Sequence, residues 1–200
     1  MDGDHNVVAI GHRDMAAFAF TPQDRVWVLS YSRRAAENAA LIAQLSRAGV
    51  GQIVYLSSSS VIVGQRTRCY EYPRVKQLAE LAVLALPNGR VLTVGLVYGQ
   101  PGELPHGSNV ATSLDEFAAF IRSPTWPNAQ GRAKHLFRTV TLPFSGALER
   151  AAHQAYGVLM SASGSFPCLL RPLDVLLRAL GVRWYGYVFL SNRLWISTTS

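Results

Sequence analysis

The first half of the chain alternates short runs of β-branched and aliphatic residues with longer segments of helical periodicity. This alternation is typical of βαβ units arranged around a parallel sheet. Apolar side chains recur at helical spacing over residues 33–48 and 73–86, and Pro73 suits a first helical turn because its missing N–H costs nothing there. Strands are predicted at 6–10, 25–29, 53–56 and 90–94. The pattern therefore predicts a parallel sheet with helices packed against it.

The pattern changes near residue 100, because residues 100–112 are rich in Pro, Gly, Asn and Ser. Such a composition is typical of a loop or a domain boundary. Beyond it, Ser113 and Glu116 form the capping box of a predicted helix. Further helices are predicted at 146–156 and 171–180. We therefore predict an α/β fold, with an incomplete, doubly wound parallel sheet over residues 1–100 and a smaller, mostly helical lobe over residues 101–200.

The composition changes this picture in few respects. A hydrophobic fraction of 49% with 16% charged residues excludes a disordered chain. Cys69 and Cys168 belong to no Cys/His cluster, so we predict two free thiols in a reducing compartment. The five histidines are scattered, and no metal site is predicted. The N-terminus is too polar for a signal peptide, and no apolar run approaches the ~20 residues that a membrane span needs. We expect a cytoplasmic protein.

The net charge of +7 is unevenly distributed along the chain. Residues 1–120 carry ten basic and ten acidic residues, whereas residues 121–200 carry nine basic and two acidic ones. A solvated basic face, a diphosphate-bearing substrate or an anionic membrane surface would each account for this charge. Nucleic acid is not an expected partner, since the basic residues are dispersed and no recognition motif accompanies them. The leucine- and arginine-rich segment 169–183 fits either an amphipathic helix at a membrane interface or a core helix of the lobe.

Tyr72 and Lys76 form a Y-x-x-x-K pair at the start of the helix predicted over residues 73–86. Residues four apart share one helical face, so the ammonium can approach the phenol. A nearby cation favours phenolate and lowers the pKa of tyrosine from about 10 toward the working pH. A phenol in this setting can serve as the general acid/base for a hydroxyl group during hydride transfer. The spacing alone also fits an ordinary pair on a helix surface.

Four serines, Ser57–Ser60, directly follow the strand predicted at 53–56. Open α/β sheets bind ligands at the C-terminal ends of their parallel strands. A serine at that edge can hold a substrate hydroxyl or carbonyl against the tyrosine. The same run also suits a polar turn between strand and loop.

The order of these motifs resembles the second half of the nucleotide-binding domain in extended short-chain dehydrogenases/reductases of the NAD-dependent epimerase/dehydratase type. The matching segments lie within about residues 25–100, at 48–50, 53–59, 72–76, 79–80 and 96–99. The resemblance implies a Rossmann-like domain over residues 1–100 and a substrate-binding lobe over 101–200. It assigns Ser59 as the catalytic serine, Tyr72 as the acid/base and Lys76 as the catalytic lysine, which also reaches the cofactor ribose.

The same resemblance implies NAD or NADP as the cofactor. Asp14 and Met15 resemble the acidic–apolar pair that contacts adenine, and Ser30 and Tyr31 follow the strand beside the nicotinamide ribose. The family begins with a strand and G-x-x-G-x-x-G, whose glycines admit the pyrophosphate to a helix N-terminus. No such run is present in this sequence. We therefore expect weak or lost cofactor binding, unless the glycine motif is encoded upstream of Met1.

Two functions follow from these observations. The first is an NAD(P)-dependent oxidoreductase of the epimerase/dehydratase type that acts on a nucleotide- or lipid-linked sugar. The second is a catalytically inactive relative that serves as a binding or assembly partner in surface-polysaccharide biosynthesis. The basic lobe predicts peripheral contact with the inner face of the membrane, and the resemblance implies a homodimer.

Overall fold

The computed structural model describes residue 8 and residues 18–29, 32–122, 132–164 and 166–199. The strand predicted at 6–10 lies outside the described residues, except for Val8. In chain order the elements are β1 (Arg25–Val28), α1 (Ala35–Arg47), β2 (Gln52–Ser58), α2 (Val61–Arg66), α3 (Glu71–Leu84), β3 (Gly89–Val94), β4 (Leu96–Tyr98), β5 (Gly107–Ser113), α4 (Leu114–Arg122), β6 (Ala133–Leu136), β7 (Arg138–Leu142), α5 (Ala147–Ala162), α6 (Arg171–Ala179) and α7 (Gly186–Thr199).

Four of these strands form a parallel sheet in the order β1-β2-β3-β6. Side chains of a strand alternate between its two faces, and β2 shows how the sheet uses both. Ile53 and Tyr55 pack in one core with α1 and α3, whereas Val54 and Leu56 pack on the other face with Phe117 of α4. Helices therefore cover both faces, and the predicted α/β class with a doubly wound parallel sheet is confirmed.

Local sequence signals set several of the element boundaries. The helices predicted over 33–48 and 73–86 are α1 and α3, whose ends differ from the predicted ones by one or two residues. The capping box is also confirmed: the Ser113 hydroxyl donates to the Glu116 carboxylate at 2.9 Å, and the Glu116 N–H donates to the Ser113 hydroxyl at 3.2 Å.

A second, smaller sheet in the order β4-β5-β7 was not predicted from the sequence. In it, β4 and β5 are parallel, and β5 and β7 are antiparallel. The predicted domain boundary near residue 100 remains a prediction. One strand from the second half of the chain belongs to the larger sheet, since β6 pairs with β3.

The lobe has its own core, in which Tyr156 and Met160 of α5 pack with Trp184 and with Phe189 of α7. Helix α7 is fastened to the smaller sheet by Asn192. Its amide oxygen accepts the Val110 N–H at 2.9 Å, and its amide nitrogen donates to the side chain of Asn109 at 3.1 Å. All three residues are buried, so these bonds fix the position of α7 against β5.

The prediction of free thiols is wrong, because Cys69 and Cys168 form a disulfide with their Cα atoms 5.2 Å apart. Sequence spacing could not reveal the pair, since α3 and the lobe meet only after the whole chain has folded. Persistent disulfides are typical of oxidising compartments. The argument from free thiols for a reducing compartment therefore fails, and the cytoplasmic location remains a prediction. No helix within the described ranges has the length and apolar character to cross a membrane.

Candidate functional site

The larger sheet places Ser59 at the C-terminal end of β2. The Ser59 N–H donates to the carbonyl of Val94, at the end of β3, at 2.7 Å. The serine is only 5% exposed. Its strand ends here because Ser58 and Ser60 turn the chain into α2, with the Ser60 hydroxyl donating to that of Ser58. Ser59 thus lies at the edge where parallel sheets bind ligands.

Helix α3 carries the other two candidate residues, Tyr72 in its first turn and Lys76 one turn later. Their spacing puts them on one face of the helix. The Lys76 ammonium donates to the carbonyl of Leu56 at 2.9 Å and lies 4.8 Å from the centre of the Tyr55 ring. Both of those residues belong to the C-terminal half of β2, so Lys76 lies against the strand that leads directly into Ser59.

The environment of Lys76 alters its acidity. Burial lowers the pKa of Lys76 to about 8, because the charged form loses its hydration, and the nearby Glu80 carboxylate opposes the change. Burial also raises the pKa of Glu80 above its usual value, opposed by the hydroxyls of Ser57 and Thr93 and by the charge of Lys76. The site can therefore supply an amine close to its titration point near neutral pH, which suits proton transfer.

One face of α7 covers the candidate site. Tyr187, Ser191 and Trp195 are spaced four apart and so project from the same side of this helix. Tyr187 stacks on Tyr72 with 5.5 Å between ring centres. The Ser191 hydroxyl donates to that of Ser59 at 3.4 Å, and the Trp195 indole N–H donates to the Ser59 carbonyl at 2.7 Å. Ser59 and Tyr72 therefore lie beneath a single helix, which fills the space above them.

Of the five residues predicted to contact the cofactor, only Lys76 is described, whereas Asp14, Met15, Ser30 and Tyr31 lie outside the described residues.

The described glycines near the candidate site serve internal packing. A Cβ at Gly64 would lie 2.7 Å from the Pro73 carbonyl oxygen, and one at Gly95 would lie 2.4 Å from that of Val110. Each glycine therefore lets two segments of this chain approach each other and leaves no cradle for a pyrophosphate. In the described part of the chain, neither of these two glycines leaves room for the pyrophosphate of NAD or NADP. Over the same part, no group of three or more His, Cys, Asp or Glu residues could hold a metal ion.

Sequence reasoning missed the residues that surround the candidate set. The spacing of Lys76 and Glu80 was a usable signal, because residues four apart on a helix interact. The spacing of Tyr187, Ser191 and Trp195 likewise indicated a helix face, but nothing in it indicated which surface that face would cover.

Comparisons with known proteins find no matching family model and no matching curated protein. Solved structures with a similar fold include TunA, an NAD-dependent NDP-hexosamine 5,6-dehydratase involved in tunicamycin biosynthesis, at 14% identity and a TM-score of 0.44 over 76% of this chain. Others are Pen from Bacillus thuringiensis, at 12% identity and 0.42 over 70%, and DesIV, a dTDP-glucose 4,6-dehydratase from Streptomyces venezuelae, at 14% and 0.43 over 80%. The aligned parts cover 64%, 53% and 58% of those proteins respectively. Likenesses this distant assign no family to the chain.

Proposed function

We propose that this chain is an oxidoreductase of the epimerase/dehydratase type that acts on a nucleotide- or lipid-linked sugar. The observation that supports this proposal most directly is the position of Lys76. It is buried, it lies one helical turn from Tyr72, and its ammonium reaches the strand end that carries Ser59. Ordinary surface pairs of tyrosine and lysine have no reason to be buried at the ligand-binding edge of a parallel sheet.

In this proposal Tyr72 is the general acid/base for a sugar hydroxyl. Lys76, with its pKa lowered to about 8 by burial, exchanges a proton near neutral pH and makes proton transfer through Tyr72 easier. Ser59 orients the sugar by a hydrogen bond from its hydroxyl. NAD or NADP would supply the hydride acceptor when bound. We expect such binding to be weak, because the sequence has no glycine-rich run that could admit the pyrophosphate to a helix N-terminus.

The second candidate is an inactive relative that binds or assembles partners in surface-polysaccharide biosynthesis. The α7 face favours this function, because Ser191 and Trp195 already occupy the polar groups of Ser59. Tyr187 likewise covers the ring of Tyr72. Because Ser59 is buried, a sugar could reach it only if α7 moved away.

Calorimetric titration with NAD⁺ and NADP⁺ tests the cofactor, and we expect dissociation constants in the millimolar range, about −4 kcal/mol. Turnover of dTDP-glucose and UDP-glucose at saturating cofactor then separates the two functions. The enzyme requires turnover that Tyr72→Phe abolishes, with Tyr185→Phe as the matched control. Turnover unaffected by Tyr72→Phe would contradict the assignment, and no turnover by the wild type would favour the inactive relative.

The substrate, location and partners of the chain are also proposed. The proposed substrate is a nucleotide- or lipid-linked sugar. We also propose that the protein is cytoplasmic and forms a homodimer. The basic lobe is proposed to contact the inner face of the membrane. Binding of the protein to lipid vesicles tests that contact.

A further inference from the structure

A cavity lies on the far side of α3 from the candidate site. It has a volume of about 650 Å³ and is lined by the end of α2, the loop before α3, the outer side of α3, and the segment around Phe166 and Cys168. Helix α3 contributes Arg74, Gln77 and Leu78 to the lining. At about 3.6 residues per turn these side chains project opposite to Tyr72 and Lys76. The cavity is therefore separate from the residues of the proposed function.

The lining of this cavity carries uncompensated positive charge. Arg66, Arg68 and Arg74 all border it, and no acidic residue does. None of these three guanidinium groups has a hydrogen bond or ion pair with another residue in the described part of the chain. Glu71, the nearest acidic residue in sequence, does not line the cavity. Like charges held around one cavity repel each other, and a bound anion would convert that repulsion into attraction.

The opposite wall of the cavity is apolar and fixed in place. Phe166 is 69% exposed although it is a large aromatic residue, and Leu78 is 43% exposed. The Cys69–Cys168 disulfide joins the arginine-bearing loop to the segment that carries Phe166. Arg171, which does not line the cavity, strengthens this junction, because its guanidinium donates to the Cys69 carbonyl at 2.8 Å. Charged and apolar walls are thereby kept at a constant separation.

We propose that this cavity binds a phosphorylated ligand, with its phosphoryl group held by Arg66, Arg68 and Arg74 and its apolar or ring portion resting on Phe166. Guanidinium groups suit this role because their planar N–H donors match the oxygens of a phosphate. Gln65 and Gln77 add neutral donors to the lining. The same chemistry serves a soluble nucleotide or sugar phosphate and the headgroup of a phospholipid.

Calorimetric titration with inorganic pyrophosphate, UDP and dihexanoyl phosphatidic acid tests the site. It also distinguishes a soluble phosphorylated ligand from a phospholipid headgroup. The test variant is Arg66→Gln/Arg68→Gln/Arg74→Gln. The matched control is Arg47→Gln/Arg122→Gln/Arg150→Gln, which removes the same charge from exposed positions outside the cavity. We expect the test variant to bind at least about tenfold more weakly than the wild type, as expected for the loss of one charge-assisted hydrogen bond. The control should change by less than about twofold, since exposed distant charges are screened.

The apolar wall is tested by Phe166→Ala, which should weaken UDP or phosphatidic acid and leave pyrophosphate unchanged. Preference for UDP would identify a soluble ligand, and preference for phosphatidic acid would identify a lipid headgroup. Equal losses in the two triple variants would overturn the proposal, as would the absence of binding of all three probes to the wild type. Tyr72, Lys76 and Ser59 are unchanged in every variant, so failure here is distinguishable from failure of the proposed function.

Discussion

Lys76 shows how a single buried residue connects stability to the proposed chemistry. Its ammonium has the Leu56 carbonyl as a partner, but burial still favours the neutral amine and lowers the pKa to about 8 from 10.5. Between these two values the unfolded chain binds more protons at this position than the folded one. The free energy of unfolding must therefore rise with pH across that window. The same buried amine makes the residue available for proton transfer.

We predict that the wild type gains about 2 kcal/mol more stability than Lys76→Met when the pH is raised from 7 to 9.5, because only the wild type releases this proton on folding. Urea unfolding at the two pH values measures the difference. Lys134→Met, at a partly exposed lysine, is the matched control and should behave like the wild type. Identical pH dependence of the wild type and Lys76→Met would show that Lys76 is not desolvated in the folded protein.

At the scale of elements, the start of α3 is joined to the lobe by several bonds around the disulfide. Asp174 of α6 is buried and accepts hydrogen bonds from the Tyr70 hydroxyl at 3.0 Å and the Tyr156 hydroxyl at 2.6 Å. Burial and the Asp174 carboxylate raise the pKa of both tyrosines, which remain neutral donors. The Tyr156 hydroxyl in turn accepts the N–H of Gly186, where α7 begins. Helices α3, α5, α6 and α7 thus share one polar junction.

We predict that the Cys69→Ser/Cys168→Ser variant loses about 2–5 kcal/mol of stability, since the disulfide closes a long loop of the unfolded chain. Reductant should lower the urea midpoint of the wild type to a similar extent and leave that of the double variant unchanged. Alkylation of the denatured protein, with and without reductant, counts the free thiols in parallel. Two free thiols in the unreduced wild type would contradict the disulfide.

Sequence reasoning succeeded where an element is determined by neighbouring residues. The periodicity of α1 and the reciprocal bonds of Ser113 and Glu116 are local, so they could be predicted without knowledge of the fold. The contact of Trp195 with Ser59 joins residues 136 positions apart, and the bond between Cys69 and Cys168 joins residues 99 positions apart. Such contacts follow only from the packing of the whole chain. The motif therefore led to a candidate site with Ser59 and Lys76, which stays a prediction, but it could not indicate the helix above them.

At the scale of the molecule, the surface of α6 combines apolar exposure with positive charge. Leu173 and Leu177 pack against the core of the lobe, as the core-helix alternative predicts, and the membrane-interface alternative stays a prediction. On the outer side Val175, Leu176 and Leu180 are exposed. Arg171 and Arg178, seven residues apart, lie along one flank of this exposed side. An apolar strip beside a basic flank is the arrangement of helices that lie in a membrane interface.

We predict that the protein associates weakly with vesicles containing phosphatidylserine and that the association fades as salt rises, because salt screens exposed charges over about 8–10 Å. Arg171→Gln/Arg178→Gln should weaken it by about 2 kcal/mol, at about 1 kcal/mol for each basic residue near the surface. Arg183 is left intact, since it lies beyond the end of α6. Co-sedimentation at low and high salt measures the partitioning, with Arg47→Gln/Arg122→Gln as the control of equal charge. If both double variants partition like the wild type, the positive charge of the lobe is a solvated face and the apolar strip of α6 has another partner.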